Sequence, residues 1–374
     1  MNLVAKTFAG LEEVLADELR AIEGVTEVEI TKRGVLFEGD KRVLYRANLE
    51  CRTALRFLLP IHYFKSSNEQ SFYRKIQDID WWEIMDIDQT FAVDAVVRSS
   101  IFRHSHYIGL KTKDAIVDQF RDRLDKRPSI NTEQPDIRIN VHIHEDEVIV
   151  SLDASGESLH RRGYRQQAVE APLNEVLAAG MIKLSGWTGE TDFTDAMCGG
   201  GTLLTEAALI AANRHPQYRR THFCFKQWQD FDKALFDDIL STYAAQEVDF
   251  SCVISGSDFD GRAVRISEKN IEAIGFADKI HVQRGDFFNR KPPEIKEGSI
   301  LMMNPPYDER LELDDAIKYY KTIGDSLKHN WKGCTAWVFT GNLEAAKFIG
   351  LRPRRKIHLF NGALECRLLK FELY

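Results

Sequence analysis

The sequence predicts an α/β protein in which a Rossmann-like domain follows two smaller units. Strand and helix patterns alternate from Pro172 onward, which is typical of a parallel sheet. Residues 2 to about 60 instead follow the order βαββαβ of a ferredoxin-like unit. The segment between them carries strands and helices of its own. We therefore expect three units, at residues 1–61, 62–155 and 156–374.

Composition excludes several classes of protein. Hydrophobic residues make up 44% of the 374 residues and charged residues 29%, as in ordinary globular proteins. No apolar run has the length of a membrane span, and residues 1–6 do not resemble a signal peptide, so we expect a cytoplasmic protein without a membrane partner. Six cysteines without CxxC spacing argue against a metal site or a disulfide scaffold. The net charge of -7 means that a nucleic-acid partner must be argued from local patches.

The first unit is predicted from apolar periodicity and turn signals. Apolar residues recur on one helical face over residues 10–22, and Gly24 follows as a stop signal. A hairpin is expected around Lys32-Arg33-Gly34. The remaining predicted elements are a strand at 3–7, hairpin strands at 25–30 and 35–37, a helix at 41–48 and a strand at 55–59.

The second unit combines two basic segments with a mixed set of elements. The segment from Arg98 to Tyr107 contains Arg103 and His104, and Arg121 lies near the end of a predicted helix. These cations fit either RNA contact or a solvated surface, because acids alternate with the bases along the helix. The predicted elements are helices at 72–82 and 111–124 and strands at 91–97, 137–143 and 147–152.

A short basic segment joins the second unit to the third. Residues 155–165 are small and polar, and they include His160, Arg161, Arg162 and Arg165. The segment is either a linker or a cluster of cations that steers phosphates into a cleft.

Three glycines follow the first strand of the parallel sheet. The strand at 192–196 runs into Gly199-Gly200-Gly201, and a helix is expected at 203–212. Such a loop lets a ligand approach the backbone and meet a helix N-terminus. The dinucleotide pattern GxGxxG is absent because Leu204 stands at its last glycine, and no Gly-Lys-Ser/Thr of a P-loop follows. The remaining candidate for this loop is a charged or zwitterionic ligand that has no pyrophosphate.

Acidic residues end the next two predicted strands. Asp258, the last residue of the strand at 253–258, is placed to accept both hydroxyls of a ribose. Asp286, after the strand at 279–283, could accept from an adenine amine while Phe287 packs on the ring. Each acid taken singly fits a helix cap. Together and in order, they indicate a nucleoside ligand.

The sequence Asn304-Pro305-Pro306-Tyr307 follows the apolar strand at 299–303, and its two prolines end that strand. The Asn304 side-chain oxygen and the Pro305 carbonyl can accept hydrogen bonds from one –NH2 group, and Tyr307 offers a ring on which a base can stack. A proline turn with an ordinary asparagine cap is the alternative. The favoured reading is a site for an exocyclic base amine.

The end of the chain distinguishes two kinds of Rossmann-like domain. Strands at 356–360 and 366–373 flank Asn361-Gly362, a strong hairpin signal. A parallel sheet that finishes in a hairpin departs from nicotinamide-binding domains and matches the S-adenosylmethionine-dependent methyltransferases. The preceding elements are helices at 314–331 and 343–349 and a strand at 335–340.

These motifs resemble a known family. The sequences of residues 195–204 and 304–310 resemble the donor-binding and catalytic loops of the bacterial large-subunit ribosomal RNA guanine-N2 methyltransferases, and residues 155–165 resemble their domain junction. The resemblance implies a class I methyltransferase domain preceded by a ferredoxin-like unit and a THUMP domain. Ala196 and Gly200 stand where the family usually has proline and serine, and Asp308 stands where it has glycine.

The resemblance also implies a cofactor, an RNA partner and roles for particular residues. S-adenosylmethionine (SAM) is the expected cofactor and ribosomal RNA the expected substrate. The expected catalytic residues are Asn304, Pro305, Pro306 and Tyr307. The cofactor is expected to contact Asp195, Cys198, Gly199, Gly201, Thr202, Asp258, Asp286, Phe287 and Asn304. RNA is expected to contact Arg98, Arg103, His104, Arg121, Arg161, Arg162 and Arg165.

We therefore expect methyl transfer from SAM to the N2 amine of a guanine in ribosomal RNA. Two alternatives stay open: an adenine-N6 methyltransferase acting on DNA or RNA, and a non-catalytic RNA-binding or ribosome-assembly factor. Because the donor and RNA sites are expected in separate units, removing residues 1–155 is expected to leave donor affinity nearly intact.

Overall fold

The computed structural model describes residues 1–289, 292, 294–306 and 313–374. Two β-sheets organise this part of the chain, one with eight strands and one with seven. Among its helices, none has the length and hydropathy needed to cross a bilayer.

The first unit has the predicted βαββαβ order. Asp40 caps the second helix by accepting a hydrogen bond from the Val43 N–H (2.9 Å). Its elements are β1 (Asn2–Lys6), α1 (Glu12–Arg20), β2 (Thr26–Thr31), β3 (Gly34–Glu38), α2 (Lys41–Glu50) and β4 (Arg56–Lys65).

The second unit differs from its prediction in one helix. The expected helix at 72–82 ends at Gln77, and the Trp81–Glu83 segment forms a separate 3₁₀ turn. The buried Trp81 ring donates its indole N–H to the Ile76 carbonyl (2.8 Å), which holds the chain out of the helical path. The elements are α3 (Glu69–Gln77), β5 (Thr90–Arg98), α4 (Ser105–Leu124), β6 (Ser129–Ile130), β7 (Ile137–His144) and β8 (Glu147–Asp153).

These two units share one sheet with the order β2-β3-β1-β4-β8-β7-β5-β6. β4 pairs antiparallel with β8 from Leu58 opposite Asp153 to Lys65 opposite Glu147. The unit boundary proposed at residues 61/62 thus falls inside β4. A register shift between Pro60 and His62 lets this strand continue past a proline, which cannot donate to the ladder.

The third unit contains the second sheet, with the order β11-β10-β9-β12-β13-β15-β14. β9 to β13 are parallel, and β14 and β15 form the predicted terminal hairpin. The expected helix at 343–349 is instead a 3₁₀ segment, Ala345–Ile349. The strands are β9 (Phe193–Asp195), β10 (Ile254–Asp258), β11 (Ile280–Arg284), β12 (Ile300–Met303), β13 (Thr335–Thr340), β14 (Arg355–Asn361) and β15 (Leu364–Glu372). The helices are α5 (Glu175–Ser185), α6 (Thr202–Ala211), α7 (Lys233–Gln246), α8 (Gly261–Ala273) and α9 (Leu313–Asn330).

The units are packed together through buried side chains. Leu11 of the first unit is fully buried within the core of the third, and its methyl groups lie against Gly180 of α5. In return, Phe225 and Phe236 from the stretch between α6 and β10 pack into the core of the first unit. The Phe225 ring stacks on Tyr45 with centroids 4.7 Å apart. The third unit therefore shares its core with the first unit.

Candidate active site

Three neighbouring strands bring the predicted motifs to one edge of the second sheet. β9 lies between β10 and β12, with Asp195 opposite both Gly256 and Met302. Because the three strands are parallel, their carboxyl ends meet at the same edge. The glycine loop after Asp195, the acid Asp258 and the turn at Asn304 consequently surround one site.

The glycine loop is fixed by backbone hydrogen bonds. The Cys198 N–H donates to the Ser257 carbonyl (3.0 Å), and the Gly201 N–H donates to the Cys198 carbonyl (2.7 Å). Gly201 has φ +77°, and a Cβ there would lie 2.2 Å from Ser267 Oγ, so no other residue fits. A Cβ on Gly199 would meet no described atom within 4 Å. The loop is therefore rigid at Gly201 and open at Gly199.

Asp258 holds both this loop and the start of α8. Its Oδ2 accepts from the Gly199 N–H (2.9 Å), and its Oδ1 accepts from the Asp260 N–H (2.9 Å). A carboxylate oxygen can accept two hydrogen bonds. Asp258 thus keeps acceptor capacity for a ribose while its position is fixed by the backbone.

Other residues that were predicted to contact the cofactor are buried next to the glycine loop. Asp195 is buried, and its Oδ1 accepts from the Met197 N–H (3.1 Å). Burial, together with the nearby negative charge of Asp258, raises the pKa of Asp195 to about 8. The side chains of Cys198 and Thr202 are also buried. Any cofactor contact with Cys198 and Thr202 would therefore use the backbone.

The expected adenine residues have other partners. Asp286 accepts from the Phe288 N–H (3.1 Å) and from the Asn289 side-chain amide (2.6 Å), which makes it a turn cap. Phe287 is buried, and its ring lies nearly parallel to that of the core residue Trp331, with the centroids 5.9 Å apart. Phe259, directly after Asp258, is 73% exposed. In the sequence, the only indication of a role for Phe259 is its position directly after the acid that ends a strand.

Asn304 presents an unusual polar group. Its Oδ1 is buried and accepts no hydrogen bond within the part of the chain that the structure describes. Pro305 is buried beside it and Pro306 is exposed. Tyr307 and Asp308 lie outside the described residues. Asn304 thus places a buried acceptor directly after β12.

Tyr319 of α9 is a further residue near the site that the sequence did not identify. Its hydroxyl donates to the sulfur of Met197 in the glycine loop (3.5 Å). Burial, with smaller contributions from the charges of Asp286 and Asp258, raises the pKa of Tyr319 to about 12. The hydroxyl therefore keeps its proton at neutral pH and can act as a donor.

Two of the arginines expected to contact RNA form ion pairs inside the protein. Arg162 is fully buried, donating from Nε to Glu206 Oε1 (2.9 Å) and from Nη2 to the Arg52 carbonyl (2.6 Å). Arg165 donates to Glu175 Oε1 (2.8 Å between Nη2 and that oxygen) and to the Leu173 carbonyl. The fully buried Arg162 guanidinium is held by Glu206 and a backbone carbonyl, so it cannot reach a phosphate. Arg165 is partly exposed and is held by Glu175, ten residues along the chain.

The remaining expected RNA contacts are exposed. Arg98, Arg103 and His104 lie where β5 leads into α4. Arg121 pairs with Asp118 (2.8 Å), and Arg161 pairs with Glu157. Exposed pairs of this kind contribute little to stability and can exchange partners.

A buried asparagine connects the domain junction with the glycine loop. Asn270 of α8 donates from Nδ2 to the Gly200 carbonyl (2.9 Å), and its Oδ1 accepts from the Gln166 N–H (2.9 Å). The same amide also donates to the Gln167 carbonyl (3.2 Å). One side chain therefore fixes the glycine loop relative to the segment that follows the two N-terminal units.

Comparisons with known proteins identify the family. A model of the RMKL-like methyltransferase domain matches residues 162–370, more than half of the chain. The chain belongs to the RMKL-like methyltransferases. A THUMP domain matches residues 66–153, and an RlmL ferredoxin-like domain matches residues 2–58. The predicted fold class, the resemblance and the prediction of a methyltransferase are thereby confirmed.

Two curated relatives and one crystal structure show how far the similarity extends. Protein slr0064 of Synechocystis sp., provisionally named an RNA methyltransferase, is 42% identical over 98% of this chain and 95% of its own length. Ribosomal RNA large subunit methyltransferase K/L of Syntrophotalea carbinolica is 41% identical over 100% of this chain. The chain spans only 54% of that protein.

The crystal structure is that of SMU.472, which is provisionally assigned as a methyltransferase. It is 29% identical, with a TM-score of 0.88 over 100% of this chain and 98% of that one. SMU.472 is complexed with SAH. SAH is what remains of SAM after methyl transfer, so this ligand agrees with the cofactor expected from the sequence.

Proposed function

We propose that this protein transfers a methyl group from SAM to the exocyclic N2 amine of a guanine in large-subunit ribosomal RNA. The observation that carries the proposal is Asn304 Oδ1, a buried acceptor for which the described residues provide no donor. Leaving such a group unpaired costs about 1–3 kcal/mol. A ligand that brings an N–H group would remove this cost. The name of the K/L relative supports ribosomal RNA as the source of that ligand.

The residues around the glycine loop fit SAM. Bound SAM supplies an electrophilic methyl group. Gly199 leaves open space beside the backbone, and Asp258 keeps acceptor capacity for the ribose hydroxyls. We assign the exposed ring of Phe259, instead of Phe287, to the adenine. Asp195 fixes the backbone below the donor.

The turn after β12 would orient the amine. The Asn304 side-chain oxygen and the Pro305 carbonyl each accept one N–H of the amine, which directs its nitrogen lone pair away from the base plane. As the new N–C bond forms, the bond between the methyl group and the donor sulfur would break and release SAH. Neither acceptor readily takes a proton, so the extra proton on the nitrogen would leave to solvent. The two prolines fix the backbone path. Alignment of the reacting atoms supplies most of the rate, and no covalent bond to the protein is needed.

RNA binding is assigned to the N-terminal half and to the junction. The exposed cations Arg98, Arg103, His104, Arg121 and Arg161 are the candidates for phosphate contacts. Tyr307 is expected to stack on the target base. The same proposal places the THUMP domain between about residues 62 and 155, with β4 crossing the first of these boundaries.

Mass spectrometry of nucleosides tests this function. The protein is incubated with SAM and either an unmodified transcript of bacterial large-subunit ribosomal RNA or large-subunit particles from a strain that lacks the gene. We expect N2-methylguanosine. N6-methyladenosine would instead establish the adenine-N6 alternative, because the same turn can hold either amine. SAM binding without any methylated nucleoside would favour a non-catalytic assembly factor.

A further inference from the structure

Helix α8 carries three cations on one exposed face. Arg262, Arg265 and Lys269 are spaced at i, i+3 and i+7, which places them on the same side of the helix. All three are exposed, and none forms an ion pair with a residue in the described ranges. They extend over about 10 Å along the helix axis, at 1.5 Å per residue. Their charge is therefore available to a ligand larger than a single small anion.

This face borders a cleft of about 350 Å³. Its other walls come from Ile266 of α8 and from Gln167 and Ala168, which follow the junction at residues 155–165. Two acids of the same helix do not line this cleft: Glu268 lines a separate cleft beside β11, and Glu272 lies one turn beyond Lys269 at the far end of the cationic face. The cleft toward the junction consequently has a positive wall.

One wall of the cleft also borders the glycine loop. A Cβ built on Gly200 would lie 3.8 Å from Ile266 Cγ2 and 3.8 Å from Asn270 Nδ2. Asn270 in turn bonds to the carbonyls of Gly200 and Gln167. An anion held by α8 is thus separated from the glycine loop by little more than one layer of side chains.

We propose that the cationic face of α8 binds backbone phosphates of the substrate RNA beside the target guanine. This inference rests on the proposed function, since it assumes that RNA reaches the edge of the second sheet. RNA presents phosphates in a row, and several cations along one helix can contact more than one of them. Released counterions make such contacts dependent on salt.

The test compares two triple variants with the full-length parent. The first replaces Arg262, Arg265 and Lys269 with glutamine. The matched control replaces Lys332, Arg352 and Arg355 with glutamine. These control residues are exposed, have no ion pair within the described part of the chain, and lie toward the amino ends of β13 and β14. Both variants change the net charge equally.

Fluorescence anisotropy with the unmodified transcript measures RNA affinity across a range of salt concentrations. For the α8 variant we expect about tenfold weaker binding at low salt. The slope of log affinity against log salt should become shallower by about 2 units, since each lost phosphate contact removes about 0.7–0.9. The control variant should keep the parent slope. Calorimetry should show unchanged SAM affinity in both, which establishes that they are folded.

The outcomes separate this inference from the proposed function. An α8 variant that keeps the parent slope overturns the inference while methylation by the parent still supports the function. Equal loss in both variants also overturns it, because the effect would then follow net charge alone. A parent protein that neither binds nor methylates the transcript or the particles contradicts the function itself.

Discussion

Two basic regions lie beside the glycine loop, and they differ in whether their cations form ion pairs within the protein. The junction at residues 155–165 turns Arg162 and Arg165 toward Glu206 and Glu175. α8 leaves its three cations exposed and without ion pairs to described residues. The sequence suggested that the junction binds phosphates, yet two of its four basic side chains form ion pairs inside the protein. The difference depends on which acids the fold brings near, and local composition does not contain that information.

The buried junction charges connect the units of the protein. Arg162 contacts both Glu206 of α6 and the carbonyl of Arg52 in the first unit. Arg52 donates onward to the carbonyls of Leu209 and Arg214. Burial lowers the pKa of Arg52 to about 10, so it stays charged at neutral pH. A network of this kind fixes how the N-terminal region sits on the methyltransferase domain, whereas the α8 face is free for a partner.

Removing residues 1–155 should have the largest effect. The sequence suggested that donor affinity would survive this truncation, but Leu11 and Arg52 complete the core and the ionic network of the third unit. We now expect residues 156–374 to lose cooperative thermal unfolding and measurable SAM binding. Calorimetry that finds full donor affinity in the truncated protein would show that the shared core is dispensable.

Arg162→Met should be the most damaging single change to the junction. It leaves Glu206 buried without its charged partner, which typically costs about 3–5 kcal/mol of the free energy of unfolding. Arg265→Met is the matched change on α8 and should stay within about 0.5 kcal/mol of the parent, because that side chain is exposed. Urea denaturation measures both. Similar values for the two variants would remove the contrast between the regions.

Asn270→Ala tests the connection between the regions. It removes the donor to the Gly200 carbonyl and the acceptor for the Gln166 N–H, so the glycine loop should lose its fixed position. We expect SAM affinity to fall about tenfold, equivalent to 1.4 kcal/mol. Asn270→Asp keeps only the acceptor, so its SAM affinity should lie between that of the parent and that of Asn270→Ala. Unchanged affinity in Asn270→Ala would mean that the loop is held by its own backbone.

His160→Gln should give the smallest effect, visible only against pH. Burial, with the charges of Arg161 and Arg162, lowers the pKa of His160 from 6.5 to about 4. Between these values the unfolded chain binds the extra proton, so this histidine makes stability fall as pH drops from about 6.5 to 4. The glutamine variant should show a flatter stability profile in that window and no difference above pH 7. If the parent and the variant showed the same slope of stability against pH, His160 would have to be solvated in the folded protein.

Signals that lie within one strand and its turn were read correctly from the sequence. An apolar run ended by two prolines placed Asn304 at the tip of β12, and the glycines after Asp195 placed the loop between β9 and α6. Asn361-Gly362 similarly placed the terminal hairpin. In each case, short-range backbone restrictions decide the structure, and the order of parallel strands then brings the tips together.

Features that depend on distant contacts were not predictable. Phe287 and Phe288 are adjacent aromatic residues, and only packing against Trp331 decides that the first of them enters the core. β4 was expected to end near Leu59, but pairing with β8 carries it to Lys65. The cations of α8, which have no ion pairs with described residues, gave no signal either, because the sequence around them also contains acids.

The most direct test of the central claim is single-turnover methylation of guanine-containing RNA by Asn304→Ala. The change removes one acceptor for the amine and keeps both prolines, so donor binding should hold. Loss of one well-placed polar group in a dry site is worth roughly 2.7–4 kcal/mol, and the rate should drop at least about a hundredfold. Asn304→Asp keeps an acceptor and should be milder. An alanine variant as fast as the parent would contradict the proposed mechanism and make the turn purely structural.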